Sequence, residues 1–224
     1  MHTKTLGLIH TSATLVPGFA ELCANYLPGI KTFNIVDDSL IKNTIAAGKL
    51  TKETSSRVVA YAASAKQAGA DYILFTCSSI GPAVEIAASL QDIPVLRVDQ
   101  PMADKAVAIG SKIGVVATLQ TTLAPTSDLV KRRAEKAGKD IQIQTVLCDG
   151  AFEALMSGDQ KTHDQKVAAA LISLSKEVDV IVLAQASMAR VVDTLEPADK
   201  IVPILASPPI AMEYLATQLL DASK

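Results

Sequence analysis

The chain has 224 residues, 49% hydrophobic, 20% charged and 4% aromatic, with a formal net charge of −2. This balance excludes a disordered polar chain, and it supplies no basic field for nucleic acid or an anionic membrane. With no Trp and four each of Tyr and Phe, a base-stacking platform is excluded too, while domains of about 100–150 residues leave room for one or two cores.

The first residues, MHTKTLGLIHT, lack the basic-then-apolar layout of a secretory leader, and no apolar run approaches the ~18 residues of a membrane span. His2, near the terminus, reads as solvated. Short apolar runs then alternate with helical-period stretches. The runs are Leu6–His10, Thr32–Val36, Tyr72–Thr76, Val95–Val98, Ile113–Ala117, Ile141–Leu147, Val180–Leu183 and Ile201–Leu205. They are nearly continuous, as in strands buried on both faces. Helices are expected over Lys52–Ala68, Ile80–Leu90, Pro101–Ala108, Thr126–Ala137 and His163–Lys176, with Gly81-Pro82 and Pro208-Pro209 as loop punctuation. Lys131-Arg132-Arg133 reads as a solvated helical face. Strand–helix alternation predicts right-handed βαβ units and a mostly parallel α/β fold.

The chain also matches itself. LGLIHTSATLVP from Leu6 resembles IGVVATLQTTLAP from Ile113, an offset of 107 residues. IVDDSL from Ile35 faces VLCDGA from Val146 at 111, GADYILFTCSSIG from Gly69 faces EVDVIVLAQASMA from Glu177 at 108, and IPVLRVDQP from Ile93 faces VPILASPP from Val202 at 109. Four matches in one order predict an internal duplication: two similar domains with open sheets and an active site in the cleft between them. The expected boundaries are 1–105, completed by a C-terminal helix over 208–224, and 106–207.

Ligands of open α/β sheets sit beyond the carboxyl ends of strands, so the residues after matched strands are read for chemistry. Cys77 ends a strand run and opens a turn toward a helix, where the helix N-terminus favours a thiolate. The alternative, an inert buried cysteine, fits Cys23 and Cys148 better, the latter late in a strand. Three widely spaced cysteines without a CxxC pair argue against disulfides and structural zinc, and fit a reducing cytosol. Thr76, Ser78 and Ser79 offer donors for a carboxylate or an enolate oxygen. Gln185, opposite Cys77, hydrogen-bonds but carries no proton near neutral pH. Ser187 lies opposite Ser79. His10 is either an acid/base group or a polar residue orienting a loop; His163 begins a helix. Asp37, Asp38 and Asp99 follow strands as helix caps or cleft residues, and capping is favoured for one of Asp37 and Asp38. Apart from Arg190 these turns hold no Lys or Arg. Nucleotide, zinc-peptidase and esterase motifs are missing.

With the TCSS turn after one strand and LAQASM after its counterpart, the whole chain resembles the aspartate/glutamate/hydantoin racemase superfamily. That resemblance implies a cofactor-independent, metal-free enzyme acting on a small carboxylate, the superfamily including racemases, maleate isomerase and arylmalonate decarboxylase. Racemases of the superfamily place one cysteine in each half, one taking and the other returning the α-proton. Cys77 matches the first position, whereas Gln185 stands at the second, where LGC is usual. The resemblance implies carboxylate-binding roles for Thr11, Ser12, Ser78, Ser79, Thr118, Thr121 and Ser187, beside Thr76. A substitute second acid, if there is one, is best placed at His10.

The expected function is therefore a cytoplasmic racemase- or isomerase-like enzyme with Cys77 and Gln185 as its catalytic pair. The alternatives are a single-thiol decarboxylase (a lyase) or a non-catalytic carboxylate-binding protein. Its partner is a small acid rather than nucleic acid or membrane, and a homo-oligomer stays open.

Overall fold

The computed structural model describes residues 3–220, which leaves His2 and the end of the expected 208–224 helix outside the described residues. Two compact units divide the chain, one formed by the described residues up to Val98 together with those from Pro208 on, the other by Asp99–Ser207.

Unit 1 contains β1 (Thr5–His10), α1 (Val16–Tyr26), β2 (Lys31–Val36), α2 (Ser39–Ala46), α3 (Lys52–Gln67), β3 (Tyr72–Phe75), α4 (Gly81–Leu90) and β4 (Val95–Arg97). Unit 2 contains α5 (Gln100–Ile109), β5 (Lys112–Ala117), α6 (Gln120–Lys136), β6 (Gln142–Leu147), α7 (Ala151–Met156), α8 (Gln160–Leu174), β7 (Val180–Leu183), α9 (Ala189–Thr194) and β8 (Ile204–Ala206). Helix α10 (Ser207–Leu219) follows the last strand of the second half but packs in unit 1. There Ala211, Met212, Leu215 and Leu219 join Leu6, Leu8, Phe19 and Leu74 in one core. In the same way α5 follows β4 yet packs on α6 and β7 in unit 2.

The sheets run β2-β1-β3-β4 and β6-β5-β7-β8, parallel at every pairing. The duplication is thus carried by topology as well as sequence. It extends to the strand starts, where Asp71 Oδ2 accepts from the Thr5 N–H at 2.7 Å and Asp179 Oδ2 from those of Ser111 and Lys112 at 2.9 and 2.8 Å. Helices cover both faces of each sheet. Ile9, Ile73 and Phe75 pack with α3 and α4 residues, and Ile181 and Leu183 pack with Val167, Leu171 and Leu174 of α8. Thr51 and Asp159 cap α3 and α8, accepting from the Thr54 and Thr162 N–H groups at 3.2 and 3.0 Å.

Several sequence expectations are corrected. The edge strands β2 and β6 carry exposed residues along their length, whereas the opposite edge strands β4 and β8 carry none. The last strand begins at Ile204 rather than Ile201. Pro203 has no N–H for the ladder, so pairing starts after it, as it starts after Pro94 in the first half. Helix α6 begins at Gln120 rather than Thr126 and carries Pro125 inside it, in the second turn, where the ring removes the i→i−4 bond to the Thr121 carbonyl. Gly81-Pro82 and Pro208-Pro209 are first-turn helical residues, where a proline's missing N–H is one that has no intrahelical partner anyway. Cys148 lies just past the end of β6.

Candidate active site

In each sheet the chain leaves the first strand toward one edge and the third strand toward the other. The carboxyl ends of β1 and β3, and of β5 and β7, therefore flank a topological switch point, where ligands of open sheets bind. The expected residues cluster there, unit by unit. In unit 1, Thr11 and Ser12 follow β1, and Thr76 to Ser79 follow the adjacent β3. In unit 2, Thr118 and Thr121 follow β5, and Gln185 and Ser187 follow β7.

Cys77 and Gln185 occupy one conformation twice. Each precedes a 3₁₀ turn that leads into a helix, with φ, ψ of −130°, 121° for Cys77 and −131°, 138° for Gln185. Cys77 is half-buried, packing against the core beneath α4, and Ser78 and Ser79 are buried beside it. The Gln185 side chain folds onto Thr118, its Oε1 accepting from the Thr118 N–H at 2.6 Å and the Thr118 hydroxyl at 3.0 Å. Two donors expected for a substrate carboxylate are thereby engaged, and the Gln185 amide NH₂ becomes the group left to present. The Thr121 hydroxyl, at the start of α6, is buried without a hydrogen-bond partner.

His10 is fully buried between neutral groups. Its Nδ1 lies 2.9 Å from the Thr76 hydroxyl and its Nε2 2.8 Å from Asn34 Oδ1, and its ring meets Phe19 edge-on. A neutral ring protonated on Nε2 satisfies both contacts, donating to Asn34 and accepting from Thr76. Burial lowers its pKa below the usual 6.5, against a smaller raising effect of the Asn34 bond. Thr76 is thus held by His10, while the Ser12 hydroxyl caps the turn that follows it, accepting from the Thr14 N–H at 3.3 Å.

Asp37 takes the capping role, accepting from the Ser39 N–H at 3.1 Å and from the Ser39 and Tyr61 hydroxyls. Burial raises its pKa, but these bonds and Arg57 outweigh it and hold the carboxyl below its ordinary range. Asp38 pairs with Lys42, and Asp99 is fully buried. Burial pushes the Cys23 thiol up, and it pushes Cys148 up to about 11 against an opposing effect of Lys166. Among the described residues no group of three or more His, Cys, Asp or Glu is arranged to hold a metal.

Two charged features escaped the sequence reading. Arg97, at the end of β4, is 1% exposed; its guanidinium lies against Gly81 and pairs with Glu85. The local signal was an arginine inside an apolar strand run. In unit 2, the fully buried His163 places Nδ1 2.7 Å from Asp164 Oδ1, and Arg190 reaches Asp164 Oδ2 at 2.6 Å.

Two like parallel sheets, each with a hydroxyl-rich turn at its switch point, define a duplicated α/β protein. The chain belongs to the Asp/Glu/Hydantoin racemase family, whose model matches residues 6–215. Its fold is that of solved racemases of low sequence identity. Glutamate racemase from Francisella tularensis, in complex with D-glutamate, is 14% identical (TM-score 0.77, 99% of this chain and 82% of that one). A glutamate racemase isoform from Bacillus anthracis is 17% identical (0.74, 98% and 82%), and allantoin racemase from Klebsiella pneumoniae is 17% identical (0.69, 99% and 89%). Comparison with curated proteins found no match. No described helix is long and apolar enough to cross a membrane.

Proposed function

We propose that this racemase-family protein is an isomerase-like enzyme that moves a proton at the carbon beside the carboxylate of a small acid. Cys77 is its only acid/base thiol, and Gln185 is a neutral donor. The observation that carries this reading is the asymmetry of the duplicated turns: one backbone conformation presents a thiol in unit 1 and a carboxamide in unit 2. Because Thr118 holds the amide oxygen, Gln185 offers only N–H groups, which stabilise negative charge but do not deliver a proton. The unpartnered Thr121 hydroxyl supports a polar ligand at the start of α6.

In this reading the Cys77 thiolate takes the α-proton, and the electron pair of the C–H bond moves into an enolate. Each turn offers neutral donors for the charge that develops on carboxylate oxygens: Thr11 and the Ser78 and Ser79 hydroxyls in unit 1, and Thr121, Ser187 and the Gln185 amide in unit 2. The proton then returns from Cys77 to the same face, or to a neighbouring carbon of the conjugated system. His10 acts by orienting Thr76 rather than as a second acid, both of its ring nitrogens being engaged and its charged form disfavoured by burial.

The test is incubation in deuterated water with a panel of amino, hydroxy and dicarboxylic acids, followed by NMR and chiral analysis. Deuterium incorporation or isomerisation without inversion, lost in Cys77→Ser, is expected. Inversion would require a second acid and refute the reading of Cys77 as the only acid/base group. Carbon dioxide release would identify the lyase, and binding without exchange a carboxylate-binding protein. Retained turnover in Cys77→Ser would remove Cys77 from the chemistry.

A further inference from the structure

The duplication supplies an internal control for the residues around Cys77. Gly81 corresponds to Ala189 at the same offset of 108 that relates Cys77 to Gln185, and the parallel registers Phe75↔Arg97 and Leu183↔Ala206 align Arg97 with Ala206. The half with the thiol thus has glycine and arginine where the half with the carboxamide has two alanines. The exchange is sterically coupled. A Cβ built on Gly81 would lie 2.3 Å from the Arg97 guanidinium carbon and from Nη2, so the guanidinium occupies the volume of a side chain at the first residue of α4. No such demand exists at Ala189.

We propose that Arg97 is the positioning residue of the thiol turn: seated against Gly81, its guanidinium fixes the Cys77–Gly81 turn and keeps a permanent positive charge beneath it. This rests on the reading of Cys77 as the reactive group, but its test needs no substrate.

The charge is placed to matter. Arg97 is 1% exposed and always protonated, so water does little to screen it. Its partner Glu85 has a side chain 35% exposed and is better screened. Gly81 is four residues from Cys77, and its N–H closes the intervening 3₁₀ turn on the Ser78 carbonyl. Within unit 1, neutral His10 lies behind Thr76, the residue before Cys77. Helix α2, which packs on the turn, adds the exposed Asp38–Lys42 pair, and α3 adds Arg57 and Tyr61, both bound to Asp37.

The experiment is the rate of Cys77 alkylation by iodoacetamide at pH 7, followed by mass spectrometry on the intact protein. Arg97→Met keeps the apolar stem and loses the charge; it should slow Cys77 alkylation about 3- to 10-fold, the range for one unit charge acting across a protein turn. Arg97→Lys should restore most of the rate. Glu85→Gln leaves the arginine less neutralised and should raise the rate about 2-fold. An unchanged rate in folded Arg97→Met, or equal losses in the Met and Lys variants, would overturn the proposal. If Arg97→Met does not fold, Glu85→Gln decides, and a rate that fails to rise overturns it. Failure of the proposed function would appear separately, as turnover that survives Cys77→Ser.

Discussion

Thr76→Val isolates the buried contact between β1 and β3. Valine matches threonine in shape, so no cavity forms and the change is the loss of one hydroxyl. The Thr76 hydroxyl lies 2.9 Å from His10 Nδ1, on a fully buried ring, and 3.3 Å from the Ile9 carbonyl. The second contact is long and contributes little. The first leaves an unpaired ring nitrogen in the interior when it is removed, at about 1–3 kcal/mol. For a chain of this size each kcal/mol moves the melting temperature by roughly 2–4 °C, so thermal unfolding followed by circular dichroism should register a fall of about 2–12 °C. In a His10→Phe background there is no ring nitrogen to orphan, and the same substitution should be nearly neutral, giving a coupling of about 1–3 kcal/mol. The pH dependence follows from the same site. The folded pKa of His10 lies below its ordinary value of 6.5, so below pH 6.5 the unfolded chain binds a proton that the folded ring refuses. This contribution to stability is complete above pH 6.5 and is lost as the pH falls below it. His10→Phe should flatten that slope between pH 7.5 and 5.5. Equal costs of Thr76→Val in both backgrounds would refute the reasoning.

Three further outcomes follow from burial and close packing. In the native protein at pH 8, brief exposure to iodoacetamide should label Cys77 alone, since Cys23 and Cys148 are buried with thiols pushed upward, whereas denatured chain should label at all three; native labelling of Cys148 would contradict its packing. Gly114→Ala would put a methyl 2.6 Å from Leu174 Cδ2 and 3.0 Å from its Cγ, on a buried leucine, and should cost about 1–3 kcal/mol in urea unfolding, relieved when Leu174 is also shortened to Val. Asp179 has its pKa lowered by the Lys112 and Ser111 N–H groups, so its contribution is present above the ordinary value of 3.8 and lost as pH falls through the folded value. The difference in urea midpoint between pH 7 and pH 3.5 should therefore shrink in Asp179→Asn.

What could be read without coordinates follows from local chemistry. Apolar runs with β-branched residues, broken by helical-period stretches, mark all eight described strands, because such side chains fit the pleated, at least partly covered surface of a strand. The repeat from Leu6 at Ile113 and from Gly69 at Glu177 is a property of the sequence itself, and it located the turns at Cys77 and Gln185. Edge exposure was not legible at Lys31–Val36 or Gln142–Leu147, because a strand's position in its sheet is set by its neighbours rather than its composition.

The polar contacts that give the candidate site its character join residues far apart in the chain: His10 with Thr76, Thr118 with Gln185, Arg97 with Gly81 and Glu85. Sequence alone determined the fold class and the duplication and singled out the candidate turns, since each is encoded by periodicity and by short-range turn chemistry. Tertiary structure decided which donors are engaged, which histidine is held neutral and which cation lies against Gly81, because burial and hydrogen bonding depend on which strand ends become neighbours.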